Sequence, residues 1–190
     1  MLSSNKEIII TTALTEHNVI GGQKVYLGEW CKIYPSDKQN LSIPIMPFIW
    51  RDREKFDKAY YYSLDVFENS LTELTKFLNT HHNENNDIEY YRIILGTWLI
   101  HYIQTTYDKY LSLKEAKSIY PNAVFTTTPE NQWVVPFDYV DFKSKIEMDE
   151  YNAHLYSRVV SYLKYDKLEI ELKKAKPQQV RFVQPLSFKM

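Results

Sequence analysis

Tyr90 to Asp108, YYRIILGTWLIHYIQTTYD, is the longest stretch of the chain in which apolar residues keep a helical period. Ile93, Leu95, Leu99, Ile100 and Ile103 recur at spacings that bring most of them to one side of a helix. The pattern predicts a nearly buried helix running through Tyr107 or slightly beyond, with Asp108 capping or following its far end. Arg92, Gly96 and Trp98 are residues that a plain core helix does not need. A mid-helix glycine costs about 1 kcal/mol relative to alanine, which is tolerable where another backbone or a ligand approaches closely. An arginine on an apolar helix is costly to bury without an anionic partner. Glu29, Asp108 and a bound anion are all open as that partner, and an internal ion pair competes evenly with a ligand role.

Towards the amino terminus, Leu64, Phe67, Leu71, Leu74 and Leu78 repeat at three and four, so an amphipathic helix is expected from Ser63. Trp50-Arg51-Asp52-Arg53 leads towards it, with helix entry near Arg53. Residues 81–87 (HHNENND) read as a solvated loop; adjacent histidines point apart on a helix and lack ligand-spaced partners, so no metal site is expected. Pro35, Pro44 and Pro47 keep the interval from Tyr34 to Ile49 extended and looped. Before it lie two short β-rich runs, Glu7 to Leu14 and Lys24 to Leu27, separated by a turn-rich interval that includes His17, Asn18 and Gly21-Gly22. The second run passes directly into Gly28-Glu29-Trp30-Cys31. A strand followed by glycine and a carboxylate is what an open α/β sheet places at the carboxyl edge of its strands, where ligands gather. A turn glycine beside a solvated Glu29 is the simpler alternative.

Towards the carboxyl terminus, Leu111 to Ile119 suggests a further helix halted by Pro121, and residues 122–136 a long loop holding a short strand. Asp138 is a plausible N-cap for a helix ending near Ile146. Asp149 is expected to cap a last helix with Tyr151, Leu155, Val159 and Leu163 on one stripe and His154 and Arg158 on another face. Beyond Tyr165 no core-forming pattern continues. The expectation is therefore one α/β domain over residues 1–165, with a short parallel, Rossmann-like sheet and a predominance of helices. Residues 166–190 read as a tail or linker.

Lys and Arg total 23 against 24 acids, so no global charge draws the chain to nucleic acid, and the only basic concentration is KKAK at 173–176. One cysteine, Cys31, excludes an internal disulfide and a cysteine metal cluster. IIITTAL is too short for a secretory leader and no run reaches the length of a membrane span. The expected compartment is cytoplasmic; peripheral attachment to the inner membrane would leave no trace in the sequence. Sixteen tyrosines, nine phenylalanines and four tryptophans supply either a core with hydroxyls at its rim or faces on which sugars stack.

Three segments, TTAL, YLGEWCKIY from Tyr26 and YYRIILGTWLIHYIQTTYDKY from Tyr90, together with DEYNAHLYSRVV at 149–160, resemble the amino-terminal part of a bacterial transferase family. Its members are encoded in surface-polysaccharide (O-antigen and capsule) clusters and have the two-domain, GT-B-like architecture of glycosyltransferases. The resemblance covers most of residues 7–163. Matching positions are Gly28, Glu29, Trp30 and Cys31, then Arg92, Gly96, Trp98, Gln104, Tyr107 and Asp108, and later Asn152, Tyr156 and Ser157. It implies an acceptor-side domain, with Glu29 as base or acceptor anchor and Arg92 as its electrostatic partner, the two converging in one cleft. It further implies Trp30, Trp98, Tyr107 and Asp108 as contacts to a carbohydrate acceptor. The nucleotide-sugar donor would be held by a second domain or subunit, with no cofactor in this chain, and these residues alone would then be incomplete and inactive. The alternative from the residues is a non-catalytic interaction or scaffolding domain, in which Arg92 is buried against an internal carboxylate with no open pocket beside it.

Overall fold

The computed structural model describes residues 7–13, 21–32 and 43–170. Four short strands, β1 (Ile8–Thr11), β2 (Gln23–Tyr26), β3 (Val124–Thr127) and β4 (Lys167–Glu169), form one sheet in the order β2-β1-β3-β4. Every pair is parallel, with Ile10 opposite Val25 on one side and Phe125 on the other. A parallel strand is covered on both faces, so its sequence is apolar without alternation, as in Ile8-Ile9-Ile10. Gly21 and Gly22 make the turn into β2 with φ of 99° and 66°, and a side chain at Gly22 would strike the Glu7 carbonyl. His17, Asn18 and most of the interval from Tyr34 lie outside the described residues; the part after it pairs Ile45 with Tyr26 in an isolated parallel bridge.

Helices dominate, as expected: α1 (Arg53–His82), α2 (Ile88–Ile119), α3 (Tyr139–Lys145) and α4 (Asp149–Leu163). Helix α1 begins ten residues before Ser63, capped by the Asp52 carboxylate, which accepts from the Glu54 and Lys55 amides. Its first turns expose Tyr60, Tyr61 and Tyr62 and so carry no apolar stripe. Helix α2 is capped by Asp87 and continues unbroken through the segment at Leu111, because nothing between Tyr107 and Leu111 stops a helix. Asp108 therefore sits in mid-helix and caps nothing. The first half of α2 is also not nearly buried, since Ile93 and Ile94 are 83% and 56% exposed. Asp138 caps α3 by accepting from the Asp141 amide. At α4 the cap position is Met148; Asp149 is the first helical residue, where its charge favours the helix dipole instead.

The main core lies between the sheet and two helices, joining Ile10, Val25 and Phe125 to Leu113 and Ala116 of α2 and Tyr156 and Val160 of α4. A second cluster belongs to the α1–α2 hairpin alone, around Phe67, Leu71, Tyr91 and Leu99. A third joins Phe142, Tyr151 and Leu155 to Trp98 and Tyr102. Strand β4, which falls in the stretch read as a tail, buries no side chain. Backbone pairing to β3 holds it, including the Phe125 amide on the Asp166 carbonyl and the Ile170 amide on the Thr127 carbonyl, so no apolar pattern marks it in the sequence.

Candidate active site

Strand order places β1 between β2 and β3, and the chain leaves β1 on opposite sides of it. That is the switch point of an open parallel sheet, where a crevice forms beyond the carboxyl ends of the strands. Here those ends are threonines. The Thr12 amide donates to Thr126 Oγ1 at 3.1 Å, and Thr126 Oγ1 donates to the Ile10 carbonyl at 3.2 Å, tying β1 to β3. Ser157 of α4 completes the edge, accepting from the Thr128 amide at 2.8 Å and donating to the Ala153 carbonyl at 2.7 Å.

Beyond β2 the chain turns through Gly28 into a 3₁₀ turn, Glu29–Cys31. Gly28 is extended, so its role is one of space: a Cβ there would lie 2.2 Å from the Trp30 ring. The indole folds back over the glycine, donates Nε1 to the Thr12 carbonyl at 3.2 Å, and stacks on Tyr156 with centroids 6.5 Å apart. Cys31 is buried and donates its thiol to the Thr11 carbonyl at 3.3 Å. Glu29 stands at the rim, 2.6 Å from Lys32 Nζ.

Asp108 projects from the middle of α2 to where three cavities meet. One, of about 590 Å³, includes Glu29, Trp30, Phe48 and Trp50; one of about 410 Å³ includes Trp30, Lys109, Asn152 and Tyr156; one of about 360 Å³ includes Trp50, Tyr60, Gln104 and Tyr107. Asp108 lines all three. Trp50 Nε1 donates to its Oδ1 at 2.6 Å and so fixes the carboxylate's orientation. Tyr107 packs on Tyr62, with centroids 4.8 Å apart, and burial pushes its phenol pKa up.

Lys109, next along α2, is only 5% exposed. Its ammonium lies 4.9 Å from the Tyr156 ring centre. Burial lowers its pKa and the Asp108 carboxylate opposes that shift. Lys109 and Trp50 were not singled out in the sequence. The signal for Lys109 is its place in the stripe Lys109-Leu113-Ala116, at spacings of four and three, all of them buried.

Of the residues expected at one cleft, Glu29, Trp30, Tyr107 and Asp108 come together. Arg92 and Trp98 do not. Arg92 lies 16 residues before Asp108 on the same helix, about 24 Å along its axis. It does not meet Glu29: its guanidinium is held by both oxygens of Glu68, at 2.7 and 2.8 Å, and by Glu89 at 3.3 Å. These partners raise its pKa further and lower that of Glu68. The nearest carboxylates took the arginine because α1 and α2 form a hairpin, which puts Glu68 opposite Arg92. Trp98 stacks on Tyr102, 5.5 Å away, beside a different cavity. Gly96 rests against Phe67 with room for a methyl group, its virtual Cβ being 3.6 Å from the ring, so no backbone approach demands it. Asn152 braces the α3–α4 turn through the Ile146 and Met148 carbonyls. No group of three or more metal-binding side chains occurs among the described residues.

A family model described as LIC12162 family transferase matches residues 7–187. The chain belongs to that family. No curated protein and no solved structure matches it. Transferase chemistry moves a group from a donor to an acceptor nucleophile. The matched span runs through β4 and beyond. No helix among the described residues is long and apolar enough to cross a membrane.

Proposed function

We propose that this chain is the acceptor-side part of a glycosyltransferase of bacterial surface-polysaccharide assembly, the nucleotide-sugar donor being presented by a second domain or subunit. The observation that carries the reading is the convergence of three cavities on the Asp108 carboxylate at the carboxyl edge of the sheet. Carboxylates, an asparagine and a stacked indole are the groups that hold a polyhydroxylated ring: the carboxylates accept from hydroxyls and the indole covers an apolar sugar face.

In this reading Asp108 is the general base. Trp50 occupies Oδ1, which leaves Oδ2 to take the proton of an acceptor hydroxyl. That hydroxyl oxygen forms the new bond to the donor's anomeric carbon, while the bond from that carbon to the leaving diphosphate breaks and the diphosphate departs with the electron pair. Trp30 supplies the stacking face, Tyr107 lines the approach, and Glu29 anchors acceptor hydroxyls at the rim. Arg92 has no part in the step, its guanidinium being spent on Glu68 and Glu89. The scaffolding alternative expects such an ion pair to be buried, whereas Arg92 and Glu68 meet at the surface; the crevice at Asp108 is what that alternative leaves unexplained.

Saturation-transfer NMR with oligosaccharides released from the source organism's surface polysaccharide tests the reading. Sugar protons should receive saturation, and Trp30→Ala should abolish the effect. Asp108→Asn should preserve it while eliminating transfer in the enzyme supplied with its donor-binding partner. Full transfer by Asp108→Asn would remove Asp108 as base, and absence of any sugar contact would favour a scaffolding role.

A further inference from the structure

A second cavity, of about 510 Å³, shares no lining residue with the crevice around Asp108. It is bounded by Leu95, Trp98 and Tyr102 of α2, by the chain from Val134 to Tyr139, and by Tyr151, His154 and Arg158 of α4. Trp98, Tyr102, Phe137, Tyr139 and Tyr151 give its walls flat aromatic faces, with aliphatic side chains between them. His154 is 3% exposed, yet neither Nδ1 nor Nε2 has a hydrogen-bond partner. The ring is nevertheless held in place, stacked on Trp133 with centroids 4.8 Å apart and meeting Tyr151 edge-on at 5.6 Å.

Burial, reinforced by the Arg158 charge, lowers the His154 pKa to about 4; the Val134 backbone pulls the other way without making a well-formed hydrogen bond to either nitrogen. The imidazole is therefore neutral at neutral pH, with one donor and one acceptor unused. A buried polar side chain without partners is costly in a folded protein, and native structures seldom retain one without a reason. Arg158, one helical turn on, is exposed, lies 5.9 Å from the Trp133 ring centre, and has no carboxylate partner among the described residues.

We propose that this cavity is a binding site for a small planar aromatic acid, its ring between the aromatic walls, its carboxylate on Arg158 and a ring substituent on His154. Flat walls select a flat ligand, because stacking rewards a ring and leaves a puckered sugar poorly covered. The guanidinium matches a carboxylate in geometry and charge. Among the described residues Arg158 is the only cation on the wall, and the Asp138 carboxylate lies there too. That balance favours a monoanion over a phosphate dianion. A neutral imidazole can donate to or accept from a hydroxyl on the ring, which a charged one could only donate to.

The test uses 4-hydroxybenzoate as the probe and benzyl alcohol as its uncharged counterpart, read by NMR on the Trp98 and Trp133 indole N–H and the His154 ring protons. The acid should shift these resonances saturably and leave the Trp30 and Trp50 indoles in place. Arg158→Met should weaken binding by about tenfold, the loss expected for a charge-assisted hydrogen bond. His154→Phe keeps the ring and its stacking, so it should fold and should weaken 4-hydroxybenzoate more than benzoate. Absence of saturable shifts would overturn the proposal. Equal binding of benzyl alcohol, or unchanged affinity in Arg158→Met, would do the same by showing an apolar hollow without anion recognition.

Discussion

From Lys109 to Ile119, α2 turns one face to the sheet, and Leu113 and Ala116 join the strand side chains in the main core. From Ile88 to Ile103 the same helix packs on α1, α3 and α4, with no strand in either of its core clusters. The first half is the more apolar in sequence, and it is the half that leaves Ile93 and Ile94 in solvent. The second half contains Lys109, Lys114, Glu115 and Lys117, and it buries more completely. Apolar content and burial have parted company within one helix. A helix offers side chains in all directions, and burial follows the directions in which the fold supplies a neighbour. The second half has a sheet beneath it and spends its few apolar positions there. The first half has partners on some sides only, and its surplus of isoleucine is left outside. The crevice opens where one regime gives way to the other, at Tyr107, Asp108 and Lys109.

This contrast is sharpest at Leu113, which is fully buried against the sheet. Leu113→Ala should cost about 3 kcal/mol through lost burial and an unfilled cavity, seen as a lower denaturation midpoint. A loss under about 1 kcal/mol would mean that this half of α2 is not integral to the core.

The next effect comes from His154, which faces Leu95 and Trp98 of the hairpin half. Its folded pKa of about 4 lies below the ordinary value of 6.5. Above pH 6.5 neither folded nor unfolded chain protonates it, and it contributes nothing to pH dependence. Between pH 6.5 and 4 the unfolded chain takes up a proton that the folded chain refuses, so stability falls as the pH falls, by about 3 kcal/mol, and levels off below that window. Arg158 and Tyr151 on its own helix, Tyr102 on α2 and Asp138 and Tyr139 at the start of α3 are the charged and titratable groups around this cavity. Comparison with His154→Phe over this range isolates the histidine from the carboxylates; parallel curves for the two proteins would refute its buried, neutral state.

Gly96 marks the hairpin half's looser packing. Because a methyl group there meets Phe67 and Arg92 at ordinary contact distance, Gly96→Ala should stabilise the protein by about 1 kcal/mol through helix propensity alone. Destabilisation in a thermal melt would show a closer approach than this geometry allows. Ile93→Ser, at the most exposed apolar site of α2, should change stability by less than about 0.5 kcal/mol. A larger loss would mean that this face is covered by something in solution.

What was legible in the sequence was legible for local reasons. Three β-branched residues in a row announced β1, two glycines announced the turn into β2, and Asp138 announced α3, because strand propensity, positive φ and capping each depend on a few neighbouring residues. The α/β class followed from the order of such signals. Glu29, Trp30, Tyr107 and Asp108 could be named because they flank strong local features or match a family pattern. Other features left no local trace. Strand β4 is held by main-chain hydrogen bonds and needs no apolar residue.

The sequence by itself determined where most helices and three of the four strands lie and which residues carry charge or aromatic rings. Only the tertiary structure decided which of those residues meet. Arg92 pairs with Glu68, 24 positions earlier, and not with Glu29, because the hairpin sets α1 and α2 side by side. Asp108 meets Trp50, 58 positions earlier, because the sheet edge and the entry to α1 converge on the middle of α2. Charge attraction is short-ranged in water, about 10 Å at 0.1 M salt, so a charged side chain binds the partner the fold brings near, and the fold is set by the burial of other residues.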